Sequence, residues 1–338
     1  MGIKADSWAV VATVDEPPAL VQAFVAWHLS LGATAVNLFC DRPDDPVQSL
    51  FSHLPQVQVT ACGAAYWRNL GCKRPHRHEV RQMRNARHAY SLCQSDWLLH
   101  CDADEFVWTQ EQLGDYLSEV DDETDCCALS VAERISAPDM QPTFLTGAFR
   151  RPFPGKKAQG RATFGKDYDL TNRGLTGHTQ GKCFVRTGRD LRLSIHRPKA
   201  ALADDGPTVK RIAPDTVELL HFEGLTTRHW IFKMMRMADA FANHDGMPPA
   251  PHRKRQVAAL LADPAEADAL HDRLKQPDYA ALAELGLLQR PPFDVTQALA
   301  TYFPGEAIDL TNASVDLWLS EHKQGITALM HGGQRPQP

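Results

Sequence analysis

The chain has 338 residues, 43% of them hydrophobic and 23% charged, and a net charge of −5. That length allows one large α/β domain or two smaller ones with a sizeable core, and the acidic balance argues against nucleic acid as a main partner. The eight cysteines include no C-x-x-C pair, and Cys126 and Cys127 are adjacent, which fits reduced thiols better than a disulfide framework.

The opening residues Met1-Gly2-Ile3-Lys4-Ala5-Asp6-Ser7 carry no signal-peptide apolar region. No apolar run approaches the roughly 20 residues of a membrane span. The expected location is cytoplasmic, with peripheral association at the inner face of a membrane left open. Residues 9–14 are short, apolar and β-branched, as in a buried parallel strand. Asp15-Glu16-Pro17-Pro18 ends it, and prolines suit a first helical turn. Leu20, Phe24, Trp27 and Leu31 recur at helical spacing, and Gly32 stands where a left-handed cap is usual. A strand at 36–40 ends at Asp41, a short helix spans about 47–53, and a third strand follows at 57–60. A longer helix covers 78–93 with Val80, Met83, Ala86, Tyr90 and Cys93 on one stripe, before the strand at 97–101. Repeated β-α-β units predict a parallel, doubly wound sheet with right-handed crossovers.

Further on, residues 127–131 read as a strand. Residues 137–181 are rich in Pro, Gly, Lys, Arg and Thr and read as long loops of the kind that cover a ligand site. Residues 182–186 and 192–195 look like a hairpin around Thr187-Gly188, and 218–222 like another strand. From Trp230 the pattern is mostly helical, and no internal repeat is found.

The sharpest chemical signal is Trp97-Leu98-Leu99-His100-Cys101-Asp102-Ala103-Asp104-Glu105-Phe106, an apolar strand that ends in three carboxylates within four residues. Several carboxylates inside a buried strand would each cost several kcal/mol of desolvation, which places them past its carboxyl end, where open α/β sheets bind ligands. Asp102 and Asp104 can aim both side chains at one hard divalent cation, Mn²⁺ or Mg²⁺. A solvated acidic turn is the plain alternative.

The strand ending at Asp15, the helix with Trp27-His28 before Leu31-Gly32, the strand ending at Asp41, and Met83-Arg84-Asn85-Ala86 leading to the D-x-D strand together resemble glycosyltransferase family 2-like enzymes. Within these, the chain is most similar to a bacterial branch whose motif reads Asp-Ala-Asp-Glu-Phe. The resemblance is close over residues 8–108 and looser to about 240. It implies a GT-A fold: an α/β, Rossmann-like, mostly parallel sheet flanked by helices, over residues 1–240. A helical C-terminal extension (241–331) and a disordered tail (332–338) complete the expected organisation. It also implies transfer of a sugar, with inversion, from a nucleotide-diphosphate sugar to a glycan, lipid-linked or other hydroxyl acceptor. The metal on the diphosphate would act as a Lewis acid at an oxocarbenium-like transition state.

Within that resemblance, Asp15, Glu16 and Asp41 lie where the family binds the nucleoside, Arg84 is placed for phosphate and Asn85 for a polar nucleotide group. Their plain alternatives are a helix N-terminal charge and a solvated helix face. His221-Phe222-Glu223-Gly224 resembles a His-Phe-x-Gly segment whose His completes the metal site, with His196 as rival. Arg228-His229-Trp230 replaces the family's Lys-Pro-Trp, so Arg228 is a candidate phosphate contact. Glu133 is the candidate catalytic base, with Glu223 and Asp167 competing. Gly177-His178-Thr179-Gln180-Gly181-Lys182 is a polar segment that a ligand can approach closely, and Trp67, Trp108 and Trp230 are either sugar-stacking or core residues. Two rival functions remain: a non-catalytic nucleotide-sugar or glycan-binding module of the same fold, and a metal-dependent phosphohydrolase or nucleotidyltransferase. Walker A and spaced G-x-G-x-x-G motifs are absent.

Overall fold

A computed structural model describes residues 5–137, 139–200, 206–242 and 250–323, with backbone alone for 240–242. The expected tail at 332–338 lies outside the described residues. The chain opens with β1 (Trp8–Val14), buried along its whole length, and α1 (Pro18–Ser30), which begins with Pro18 in its first turn. Gly32 takes up the left-handed conformation (φ 90°) after that helix, as expected. There follow β2 (Ala35–Cys40), β3 (Val57–Ala61), α2 (Ala64–Asn69), α3 (His78–Leu92), β4 (Trp97–His100), β5 (Glu105–Thr109), α4 (Leu113–Ser118) and β6 (Cys126–Ala128). The middle of the chain holds β7 (Ser130–Ile135), β8 (Ala148–Arg150), α5 (Lys157–Phe164), β9 (Cys183–Arg186), β10 (Leu191–Arg192), β11 (Lys199–Ala200), β12 (Val209–Arg211) and β13 (Val217–His221). The remainder is α6 (Thr227–Ala242), α7 (Pro251–Ala262), α8 (Ala267–Lys275), α9 (Tyr279–Glu284), β14 (Leu288–Gln289), α10 (Thr296–Tyr302) and α11 (Asn312–His322). No described helix is long and apolar enough to cross a membrane.

These elements form two compact units, which cut across the expected boundary at 240. The first takes the described residues of Met1–Val131, Gln180–Leu219 and Phe293–Ile308; the second takes those of Ala132–Thr179, Leu220–Pro292 and Asp309–Pro338.

In the first unit, seven of the described strands form one sheet in the order β12-β6-β9-β4-β1-β2-β3. The run β4-β1-β2-β3 is parallel, as the β-α-β pattern predicts, and so is the β12–β6 pair. β9 is antiparallel to both β4 and β6. The expected hairpin with residues 192–195 is therefore corrected: Cys183-Phe184-Val185 is apolar enough to sit inside the sheet, and β10 pairs with β11 instead. One face of the sheet buries Val11, Trp67, Ala86, Leu98 and Val185 in a single core cluster. Residues 293–308 join this unit because Phe293 packs on Trp27 and Phe106, Gln22 donates to Glu306 (2.9 Å) and His53 bonds the Tyr302 carbonyl (2.8 Å).

The second unit holds β8 between antiparallel partners β7 and β14, with Glu133 directly opposite Arg150. Its helices bury Trp230, Met234, Leu260 and Leu270 in one cluster, and Phe153, Tyr168, Leu282 and Leu287 line a second. The expectation of unbroken loops over 137–181 is corrected by β8, α5 and a 3₁₀ turn at Lys166–Leu170. Aromatic contacts among Phe153, Phe164 and Tyr168 supply the apolar anchor that local composition hides. Likewise the expected helix at 47–53 is one 3₁₀ turn, Pro46–Ser49, capped by the Asp45 carboxylate.

Candidate functional site

β4 is buried on both sides of the sheet and ends at His100. The chain then leaves the sheet, and Asp102 and Asp104 stand at its carboxyl end, as the sequence predicts. Asp102 is 30% exposed, Asp104 is buried and Glu105 is fully buried. Lys182, also fully buried, reaches Asp102 Oδ2 at 2.9 Å and Glu105 Oε2 at 3.3 Å. The Asp102 N–H also donates to Glu105 Oε2 (2.9 Å), and Gln82 Nε2 donates to Asp102 Oδ1. Burial works against the Lys182 charge, but Asp102 and Glu105 raise its pKa above the ordinary lysine value, so it stays an ammonium. His100 bonds the Ser194 carbonyl (3.2 Å) through Nδ1, and burial, then Lys182, lower its pKa to about 4, which keeps the ring neutral.

Beside β4, the carboxyl end of the parallel strand β1 carries Asp15 and Glu16. Asp15 pairs with Arg42 Nε at 2.6 Å. The Glu16 carboxyl is pushed up to about 8 by burial, then by Asp15, Asp104 and Asp102. Four carboxylates thus share one end of two adjacent parallel strands, and one of them gives up ionisation near neutral pH.

Asp41, after β2, has a different environment. Arg81 grips it in a bidentate pair (Nε–Oδ1 2.7 Å, Nη2–Oδ2 2.6 Å), with Arg74 at 3.1 Å and His78 at 3.7 Å. Burial opposes its charge, yet His78 and Arg81 hold the carboxyl well below the usual range. Asp41 therefore orients a basic cluster. Asn85 is fully buried: its Nδ2 donates to Thr13 Oγ1 (2.8 Å) and its Oδ1 accepts from Tyr66 (2.8 Å). The expectation that Asn85 meets a nucleotide is corrected on that ground, since its amide ties α3 to β1 and α2. Arg84, one residue earlier, lies on the exposed face of α3. His196 bonds the Gly181 carbonyl at 3.3 Å.

The second unit carries the other predicted residues. Glu133 accepts from Thr176 N–H (2.8 Å), Thr176 Oγ1 (2.6 Å) and Gly177 N–H (2.6 Å), and pairs with Lys275 (3.3 Å) and Arg150 (3.5 Å). It is fully buried, and although burial opposes its charge, Lys275, Arg150 and His221 hold the carboxyl far below the ordinary value. The assignment of Glu133 as catalytic base is corrected: an acceptor already filled by five donors takes up no proton near neutral pH. Glu223, its rival, is held by Arg253 (2.7 Å), Lys233 (3.1 Å) and His221 Nε2 (3.3 Å). Asp167 pairs with Arg273 at 3.1 Å.

His221 ends β13, buried and stacked against His178 with ring centroids 4.7 Å apart. A Cβ on Gly177 would lie 2.9 Å from His221 Cε1 and 3.0 Å from Glu133 Oε2, so only glycine lets the backbone pass there. Gly224 follows at φ 66°, its carbonyl accepting from Arg134 (2.7 Å), and α6 then starts with Arg228 exposed in its first turn. Trp67 and Trp230 are core residues.

Arg81, Gln82 and Lys182 were not assigned partners from sequence. Arg81 precedes Asn85 by one helical turn, a spacing that puts both on the buried face of α3. The Trp27-His28 pair also gains a physical reason: Trp27 Nε1 donates to the Val107 carbonyl (2.6 Å), and His28 Nε2 accepts from the Val107 N–H (3.5 Å).

No family model matches the chain, and no curated protein matches it. Among solved structures, S. aureus TarS 1-349 is similar over 77% of this chain and 72% of that one, at 10% identity and a TM-score of 0.34. A second S. aureus TarS structure is similar over 77% of this chain and 43% of that one, at 12% identity and a TM-score of 0.29. Likeness at this level carries no argument about family or function.

Proposed function

We propose that the chain is a GT-A-type glycosyltransferase that takes a sugar from a nucleotide-diphosphate donor to a glycan, lipid-linked or other hydroxyl acceptor, with inversion. One observation carries this reading: Asp102 and Asp104 at the carboxyl end of β4, beside Asp15 and Glu16 at the carboxyl end of the parallel strand β1. That is where open parallel sheets bind ligands, and the donor set is carboxylate oxygen, which suits Mn²⁺ or Mg²⁺. Burial, then the neighbouring carboxylates Asp15, Asp104 and Asp102, lift Glu16 to about 8, and a divalent cation would relieve the share that comes from those neighbours. When bound, the cation supplies Lewis-acid stabilisation to the departing nucleoside diphosphate.

The chain's own residues do the rest. Gln82 and Lys182 fix the Asp102 carboxylate. Arg81 is engaged with Asp41 and with the Pro75 and His76 carbonyls, and the exposed Arg74 beside Asp41 is the cation suited to phosphate oxygens. Arg84 and Arg228, both exposed, stay proposed phosphate contacts, and His221 a proposed third metal ligand.

A second reading rests on Lys182. This buried ammonium already pairs with both Asp102 and Glu105, so donor binding without a metal is the alternative form of the same function. Calorimetry with UDP, GDP and their sugars, with Mn²⁺ and with EDTA, separates the two. We expect nucleotide affinity to depend on the cation. Equal affinity in EDTA would transfer the role to Lys182, and absence of any nucleotide binding would overturn the transferase reading.

A further inference from the structure

The second unit contains a cavity of about 280 Å³ that plays no part in the reading above, close to the lower end of ligand pockets, roughly 300 Å³. Its walls are of two kinds. Phe153, Tyr168, Leu282 and Leu287 form one buried apolar cluster, with Phe164 stacked on Tyr168 at 5.9 Å. Facing the same space are four arginines, Arg150, Arg151, Arg173 and Arg273, against two carboxylates, Asp167 and Asp278.

Arg150 is the informative member. It is 6% exposed, and its Nε is buried with no hydrogen-bond partner among the described residues. A buried guanidinium donor left unsatisfied is costly, and native structures retain few of them. Its ion-pair partner, Glu133, lies at 3.5 Å and is shared with the second buried cation Lys275 at 3.3 Å. One carboxylate therefore serves two buried cations, and around the cavity itself four arginines stand against two carboxylates, which makes its wall positive.

We propose that this cavity is a binding site for a small organic anion with an aromatic or other apolar body. The anionic group would accept from Arg150, where a planar fork matches phosphate or carboxylate oxygens, and the body would pack on Phe153, Tyr168 and Leu282. The site is separate from the transferase reading, because none of the residues lining it is among those assigned to donor or metal there.

The test uses the full chain in EDTA, with phenyl phosphate, inorganic phosphate and benzyl alcohol as probes, read by calorimetry and by methyl NMR of Leu274, Leu282 and Leu287. Phenyl phosphate should bind roughly tenfold or more tighter than either fragment, because it alone offers both groups. Its binding should shift those methyls. Arg150→Lys keeps a cation for Glu133 while removing the Nε donor, and should weaken phenyl phosphate about tenfold. Leu282→Trp fills the cavity and should abolish binding with every charge in place. Failure of phenyl phosphate to bind, binding unchanged in Arg150→Lys and Leu282→Trp, or methyl shifts confined to residues outside the cavity would each overturn the proposal.

Discussion

Glu133 and Asp104 are carboxylates with opposite accounts. Glu133 is enclosed by five donors and held ionised, so removing its charge strands Lys275 and Arg150 in a buried setting. Breaking a buried pair from one side costs about 3–5 kcal/mol, and Glu133→Gln should lower the unfolding free energy by that order in denaturant titration. A near-neutral result would show that water reaches the pair. Asp104 stands among like charges, and its carboxylate is one of those that lift Glu16. Asp104→Asn should lower Mn²⁺ affinity at least tenfold, a loss of about 1.4 kcal/mol or more. A variant that unfolds would make Asp104 a structural residue, whatever the activity shows.

At the scale of elements, most of the first unit was legible because its signals are local. Short apolar runs gave β1, β2 and β4, and Gly32 gave the end of α1. What stayed hidden depends on partners far along the chain. β9 looked like a hairpin arm and is an interior strand, because β4 and β6 offer edges that no nearby sequence announces. The basic grip on Asp41 came from Arg81, 40 residues away, and Lys182 meets Asp102 across 80 residues. The D-x-D itself was legible because carboxylates cannot remain inside an apolar strand. Position after a strand says nothing about the donors that surround Glu133. The turn after β13 shows a local signal with a structural meaning. Gly224 sits at φ 66°, and a Cβ there would lie 2.8 Å from Trp230 Cβ. Gly224→Ala should cost roughly 2 kcal/mol or more from backbone strain and that overlap, seen as a lowered melting temperature. A cost below about 0.5 kcal/mol would mean the turn relaxes freely.

Across the whole molecule, acid should act on both units in the same pH window. His28 and His100 in the first unit and His252 in the second have pKa values lowered to about 4, and His271 in the second to about 3, each chiefly by burial. An unfolded histidine titrates near 6.5. Between pH 6.5 and 4 the unfolded chain therefore binds protons that the folded chain refuses, so stability is complete above pH 6.5 and falls as pH drops. Each imidazole withdraws on the order of a few kcal/mol at most over that range. At His28 burial is the cause and outweighs the Phe24 carbonyl, which Nδ1–H bonds at 2.8 Å and which favours the charged ring, while Nε2 accepts from the Val107 N–H. Below the ordinary carboxylate value, Glu133 and Glu223, both held far lower in the folded chain, add to the same loss. Calorimetric melting from pH 8 to 4.5 should show a net fall beneath about 6.5, with His271→Asn reducing the slope. The fall is partly offset by Glu16, whose carboxyl, raised to about 8, adds stability as pH drops from 8 toward its ordinary value. A melting temperature that holds from pH 7 to 5 would mean these rings are hydrated in solution, and the buried neutral imidazoles would then be no part of what confines the fold to near-neutral pH.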